Sequence, residues 1–100
     1  MAYDTTNVLT RVQKLVKNAD ADVLTELIRI VEDYCKVYLR VDLLPDLMET
    51  AVVEITVARF NRLGSEGYKN ESVEGLSIEY NDFVEAYAPM LNMYRKLKSV

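Results

Sequence analysis

Three pairs of carboxylates stand close enough along this chain to be weighed for acid-base work: Asp42 with Asp46, Glu32 with Asp33, and Glu71 with Glu74. General acid-base catalysis needs titratable groups held in a pocket that separates their pKa values. Each of these pairs reads more simply as part of a solvated helix face or loop. The chain has no histidine and a single cysteine, so neither a cysteine-histidine metal set nor a catalytic pair nor an internal disulfide is available. Cys35 lies on an apolar helical face beside Val31 and Tyr38, the setting of a buried, inert thiol. With no nucleophile motif either, the sequence predicts no enzyme, no cofactor and no metal.

Phosphate chemistry finds as little. Gly64-Ser65-Glu66-Gly67 has the GxxG form of some RNA clamps, but Glu66 and the scarcity of basic neighbours argue against a grip on phosphates. The stretch also lacks the Gly-Lys-Ser/Thr that cradles a nucleotide. It reads as a helix stop followed by a turn. Tyr34, Tyr38, Tyr87 and Tyr94 fall on apolar helix faces, where a ring with a polar tip suits a core rim or an interface. Base stacking would want basic residues interleaved, and only Tyr94-Arg95-Lys96 has them.

The elements that would position these residues are helices. In 100 residues, half of them apolar, the apolar positions recur in helical periods, and the three glycines all lie between Gly64 and Gly75. This predicts one all-α domain over 1–100, a bundle of about four helices with one irregular insert. The first helix is expected over Asn7 to Lys17 on the stripe Val8, Leu9, Val12, Leu15 and Val16, with Thr5 or Thr6 as cap. The second follows a cap at Asp20 or Asp22. It carries Val23, Leu24, Leu27, Ile28, Val31, Tyr34, Cys35, Tyr38 and Leu39 on one face, and Glu26, Arg29, Glu32, Asp33 and Lys36 on the other.

After a short connection at Arg40 to Leu44, Pro45 suits the first turn of a third helix, and Gly64 the left-handed position that ends it near Leu63. On that helix Leu47, Met48, Ala51, Val52, Ile55, Ala58 and Arg59 form a stripe, while Val53, Val57 and Phe60 fall largely outside it. So wide an apolar circumference calls for cover from several helices or from a second chain. Because it exceeds what one small bundle can cover, sister copies are expected to hide the surplus. Arg59 and Arg62 suit the end of the helix dipole, and Asn61 a local cap. Past the acidic insert, Leu76, Ile78 and Tyr80 alternate as a short β segment would. Asp82 with Glu85 has capping-box spacing for a last helix. Pro89 inside that helix predicts a kink, with a basic outer half free to leave the bundle.

The net charge is -4. From Gly64 to Glu85 the acids Glu66, Glu71, Glu74, Glu79, Asp82 and Glu85 are set against Lys69 alone, while Arg95, Lys96 and Lys98 gather near the C-terminus. Such polarity suits complementary surfaces on copies or partners better than nucleic-acid binding. No apolar run reaches the length of a membrane span, and no basic-then-apolar leader is present, so no membrane partner is expected and the setting is a reducing, intracellular one.

The run Arg59-Phe60-Asn61-Arg62-Leu63-Gly64-Ser65-Glu66-Gly67, followed by Glu71-Ser72-Val73-Glu74-Gly75-Leu76-Ser77-Ile78-Glu79-Tyr80, resembles the signature of small head-tail connector (adaptor) proteins of tailed bacteriophages and prophages. The Leu44-Pro45 helix start and the Tyr94-Arg95 pair are similar too. The resemblance implies a helical bundle that forms a ring, usually of twelve copies, beneath the portal after DNA packaging. It would extend the DNA channel, pass DNA without sequence-specific binding and offer a platform to a stopper or tail-completion protein. It implies a virion protein at the head-tail interface, assembled in the bacterial host cytoplasm.

On this resemblance Arg59, Asn61, Arg62, Gly64, Ser65, Glu66, Gly67 and Gly75 shape a subunit or partner interface, and Tyr94, Arg95, Lys96 and Lys98 contact the portal. The competing reading is a small intracellular protein-binding regulator, antitoxin-like, acting as a dimer.

Overall fold

The computed structural model describes residues 3–16, 19–65 and 79–98. Four helices follow one another: α1 (Thr5–Leu15), α2 (Ala21–Leu39), α3 (Met48–Ser65) and α4 (Tyr80–Lys98). Among the described residues there is no strand. Of the expected β segment, Tyr80 is instead the first residue of α4, and Leu76 and Ile78 lie outside the described residues.

Helix starts follow the strongest local acceptor. Asp4 rather than Thr5 or Thr6 caps α1, its Oδ1 taking the N-H of Thr6 at 2.8 Å. A carboxylate both accepts that orphan N-H and faces the positive end of the helix dipole. Asp20 caps α2 in the same way through the N-H groups of Asp22 and Val23. α2 ends on Arg40 in the left-handed region (φ 59°, ψ 51°), where the N-H groups of Arg40 and Val41 return to the carbonyls of Val37 and Lys36. This closure satisfies carbonyls that would otherwise be orphaned at the helix end.

Several expected boundaries move. Pro45 is not the first helical residue. Its carbonyl takes the N-H of Met48 at 2.9 Å, and that of Asp46 takes the N-H of Glu49, so a tight turn precedes α3. Gly64 does not stop the helix, which runs on to Ser65, and Asn61 is therefore mid-helix rather than a cap. α4 begins before Asp82, with the N-H of Phe83 bonded to the carbonyl of Glu79, so Asp82 lies in the first turn instead of capping it.

α3 packs against α1, α2 and α4, and α2 also touches all three others, while among the described residues α1 and α4 do not meet. The helices thus form two triangles sharing the α2-α3 edge, a slab measuring 42 × 29 × 19 Å. This corrects the expectation that sister copies must hide the surplus apolar surface of α3. Val53 and Phe60 are buried and Val57 half-buried within the chain, because helices of the same chain lie on three sides. Arg59 is buried with them, while Leu47 and Ala58 of the expected stripe stay exposed. The centre of the core is Val8 and Val12 of α1, Leu24, Leu27, Ile28 and Val31 of α2, Met48, Val52 and Ile55 of α3, and Phe83 and Leu91 of α4.

Pro89 does lie inside α4, but the outer half does not leave the bundle. Leu91 is fully buried, and Tyr38 of α2 donates to Asn92 Oδ1 at 2.6 Å. Those contacts hold the half-helix beyond the missing N-H. Phe83 and Leu27 are both completely buried. Phe83→Ala should therefore cost about 3–5 kcal/mol and Leu27→Ala about 2–5 kcal/mol in urea unfolding. Leu43→Ser, at an exposed position, should stay within about 0.5 kcal/mol of the parent.

Candidate functional site

Among the described residues, polar side chains meet at the joints between helices. Glu32, expected on the solvated face of α2, is only 7% exposed. One of its oxygens, Oε2, accepts from the hydroxyls of Tyr3 and Thr5, both at 2.7 Å. A buried carboxylate is tolerated when donors replace its water, and two hydroxyls from the start of α1 do so here. Asp4 N-H donates to Glu49 Oε2 at 3.0 Å, so the first turn of α1 is tied to both α2 and α3. Sequence spacing could not have paired Tyr3 or Thr5 with Glu32, since they lie 29 and 27 positions apart.

This joint borders a cleft of about 550 Å³ lined by Glu32, Lys36, Asp46, Leu43 and Pro45 with Tyr3 and Thr5. It holds no reactive pair. Asp33 points out to solvent while Glu32 is buried, and Asp42 and Asp46 are both exposed; Glu71 and Glu74 lie outside the described residues. Among the described residues no cluster of Cys, Asp or Glu could hold a metal. Cys35 is fully buried. Desolvation, with a smaller contribution from the Glu32 charge, pushes its thiol up to about 12, the opposite of what a nucleophilic cysteine needs. Burial and the bond to Glu32 push the Tyr3 hydroxyl far above its usual range as well.

A second joint fixes α4. Tyr34 packs edge-on against Tyr80 and Phe83, with centroids 5.4 and 5.2 Å away, and Phe83 continues to Tyr87 at 5.2 Å. These tyrosines act as core-rim side chains. Further along, the Arg95 guanidinium sits 4.5 Å over the Tyr38 ring and donates to the Tyr38 carbonyl. Of the residues expected at a portal contact, Arg95 is therefore engaged inside the chain, Tyr94 lines a groove between α3 and α4, and Lys96 and Lys98 belong to the last turns of α4.

The expected interface residues separate too. Arg59 is 8% exposed, and its Nε has no hydrogen-bond partner among the described residues; the same holds for the buried Thr56 hydroxyl one turn before it. Asn61 and Arg62 are exposed on α3. Gly64 and Ser65 form its last residues, and Glu66, Gly67 and Gly75 lie outside the described residues.

The described polar groups of this helical slab serve the joints between its helices. The sequence model of the family described as Phage gp6-like head-tail connector protein matches residues 9–95. The chain belongs to that family, so its role is that of a structural phage connector and virion component, assembling with other phage head and tail proteins. Neither the curated proteins nor the solved structures gave a match. Among the described residues no helix is long and apolar enough to cross a membrane.

Three outcomes are expected from these buried groups. Tyr3→Phe removes one hydrogen bond to a buried charge and should cost about 1.5–3 kcal/mol. A double-mutant cycle with Thr5→Ala should show coupling, since both hydroxyls serve one oxygen. Cys35, with its folded pKa above the ordinary value of 9.0, is neutral in both states at low pH. Above that value the unfolded chain gives up the proton first, so stability is present below pH 9 and falls as pH rises toward 12. Urea midpoints at pH 7.5 and 10 should differ more for the parent than for Cys35→Ala.

Proposed function

We propose that this connector works as a ring seated on the portal, with the acidic insert toward the DNA channel or the next ring. The observation that carries the reading is the family match over 9–95. Twelve copies is the number implied by the resemblance at Arg59 to Gly75. The ring extends the channel and presents a platform to the stopper or tail-completion protein, while DNA passes without sequence-specific binding. The charge pattern supports this: net charge is -4, and Glu66, Glu71 and Glu74 face a single lysine, Lys69, in the insert. An acidic lining repels phosphates and lets a duplex slide.

In this reading Arg59, Asn61, Arg62, Gly64, Ser65, Glu66, Gly67 and Gly75 form the stretch that shapes the insert and meets a neighbour. Tyr94, Arg95, Lys96 and Lys98 present the basic end of α4 to the portal, with Arg95 held in place by Tyr38.

Native mass spectrometry of the chain, alone and with its portal, should reveal a ring-sized species. Glu66→Lys and Gly67→Val should abolish that species and tail joining while circular dichroism stays unchanged. Normal rings and normal tail joining in both variants would refute the role given to the insert. A persistent dimer indifferent to the portal would refute the ring.

A further inference from the structure

Among the described residues the buried polar or charged side chains are Glu32, Thr56 and Arg59. The packing treats them differently. Glu32 receives the hydroxyls of Tyr3 and Thr5, so the buried anion has its donors. The buried cation has no acceptor at Nε among the described residues, and the fully buried Thr56 hydroxyl has no partner there either. Arginines nearer the surface do find acceptors within the chain. Arg11, half-buried, donates to Thr50 Oγ1 at 3.1 Å, and the exposed Arg95 donates to the Tyr38 carbonyl while stacking on the Tyr38 ring. Of these three arginines, the one furthest from water is the one left with an open donor.

A charge is retained in a protein interior when it is paired, and a donor enclosed without an acceptor carries the full penalty of its lost hydration. Thr56 and Arg59 stand three positions apart on α3, the spacing that makes two side chains neighbours on one helix face. Two donors on one face, one of them cationic, suit an anion that offers two acceptor oxygens. A guanidinium meets a carboxylate through two parallel bonds, which gives the pair direction as well as strength. Charge balance points to the source of that carboxylate. With 16 Asp and Glu against 12 Lys and Arg, the chain repels a nucleic-acid backbone as it approaches. Each copy, by contrast, carries exposed carboxylates on its helices, among them Asp22, Glu26 and Asp33 on α2 and Asp82 and Glu85 on α4.

We propose that Arg59, with Thr56 beside it, is the receiving point for a carboxylate side chain from a second copy of this chain. This rests on the ring reading above and narrows it to one contact: α3 folds with its buried cation open at Nε, and assembly supplies the acceptor. A consequence separates this role from one in folding. A side chain that holds the fold lowers stability when it is removed. One kept for a partner leaves the single copy as stable as before, or more so, because an open buried charge gives way to an apolar chain.

Arg59→Met and Arg59→Lys, in the full chain with its portal, test the contact. At dilutions where the parent is monomeric, Arg59→Met should keep or raise the urea midpoint, while native mass spectrometry shows the ring fraction reduced about tenfold or more. Arg59→Lys, assembled from a mixture of isotope-labelled and unlabelled copies and treated with a carbodiimide, should give peptides joining position 59 to an Asp or Glu of the opposite label. A lowered midpoint, an undiminished ring fraction, or crosslinks at position 59 confined to one copy would each overturn the proposal and leave the connector ring standing. Binding of duplex DNA by the parent that Arg59→Met loses would overturn it in favour of a phosphate. Monomer under every condition, portal included, would overturn the ring reading as well.

Discussion

Enclosure of α3 by its own chain is the constraint on which the rest of the structure depends. A helix apolar on so many sides must be covered, and α1, α2 and α4 do that together. Once three neighbours surround α3, the residues of that helix left exposed among those described are Thr50, Glu54, Ala58, Asn61 and Arg62. The same packing puts α2 and α3 back to back, which leaves the molecule two broad faces of different character. The apolar surface of α3 is spent on folding, and large apolar side chains left exposed among the described residues include Leu47 before α3, Met93 on α4 and Val37 on α2.

Peripheral helices need separate fastening because, among the described residues, each meets only the central pair. α1 is short, with 11 residues, below the length at which an isolated helix holds in water. Val8 and Val12 bury it, and the Tyr3, Thr5 and Asp4 bonds to Glu32 and Glu49 fix its position along α2 and α3. α4 is pinned at two heights, by the aromatic cluster around Phe83 and by Tyr38 under Arg95. The second pin explains how Pro89 is tolerated: tertiary contacts hold the residues that follow the missing hydrogen bond.

That economy fits a connector. A part whose work is to join other parts needs a rigid body and specific edges, not a reactive centre. Two polar groups that look reactive in isolation are absorbed into the packing, Glu32 bound by two hydroxyls and Cys35 sealed on the buried face of α2. Arg59 Nε and the Thr56 hydroxyl stand apart, since these buried atoms find no hydrogen-bond partner among the described residues.

The sequence by itself determined the helical class, the approximate extent of all four helices, the buried Cys35 and the family, because periodicity, residue type and a local motif are properties of neighbouring positions. Cap positions were legible to within a few residues: Asp20 was among the acceptors foreseen, whereas Asp4 and the turn at Pro45 were not. Tertiary structure alone decided what covers Val53 and Phe60, why Glu32 leaves the solvated face, and that Arg95 folds back on Tyr38. Each of these joins residues far apart in the chain, and the free energy of burying an apolar or charged group depends on partners that no local pattern names.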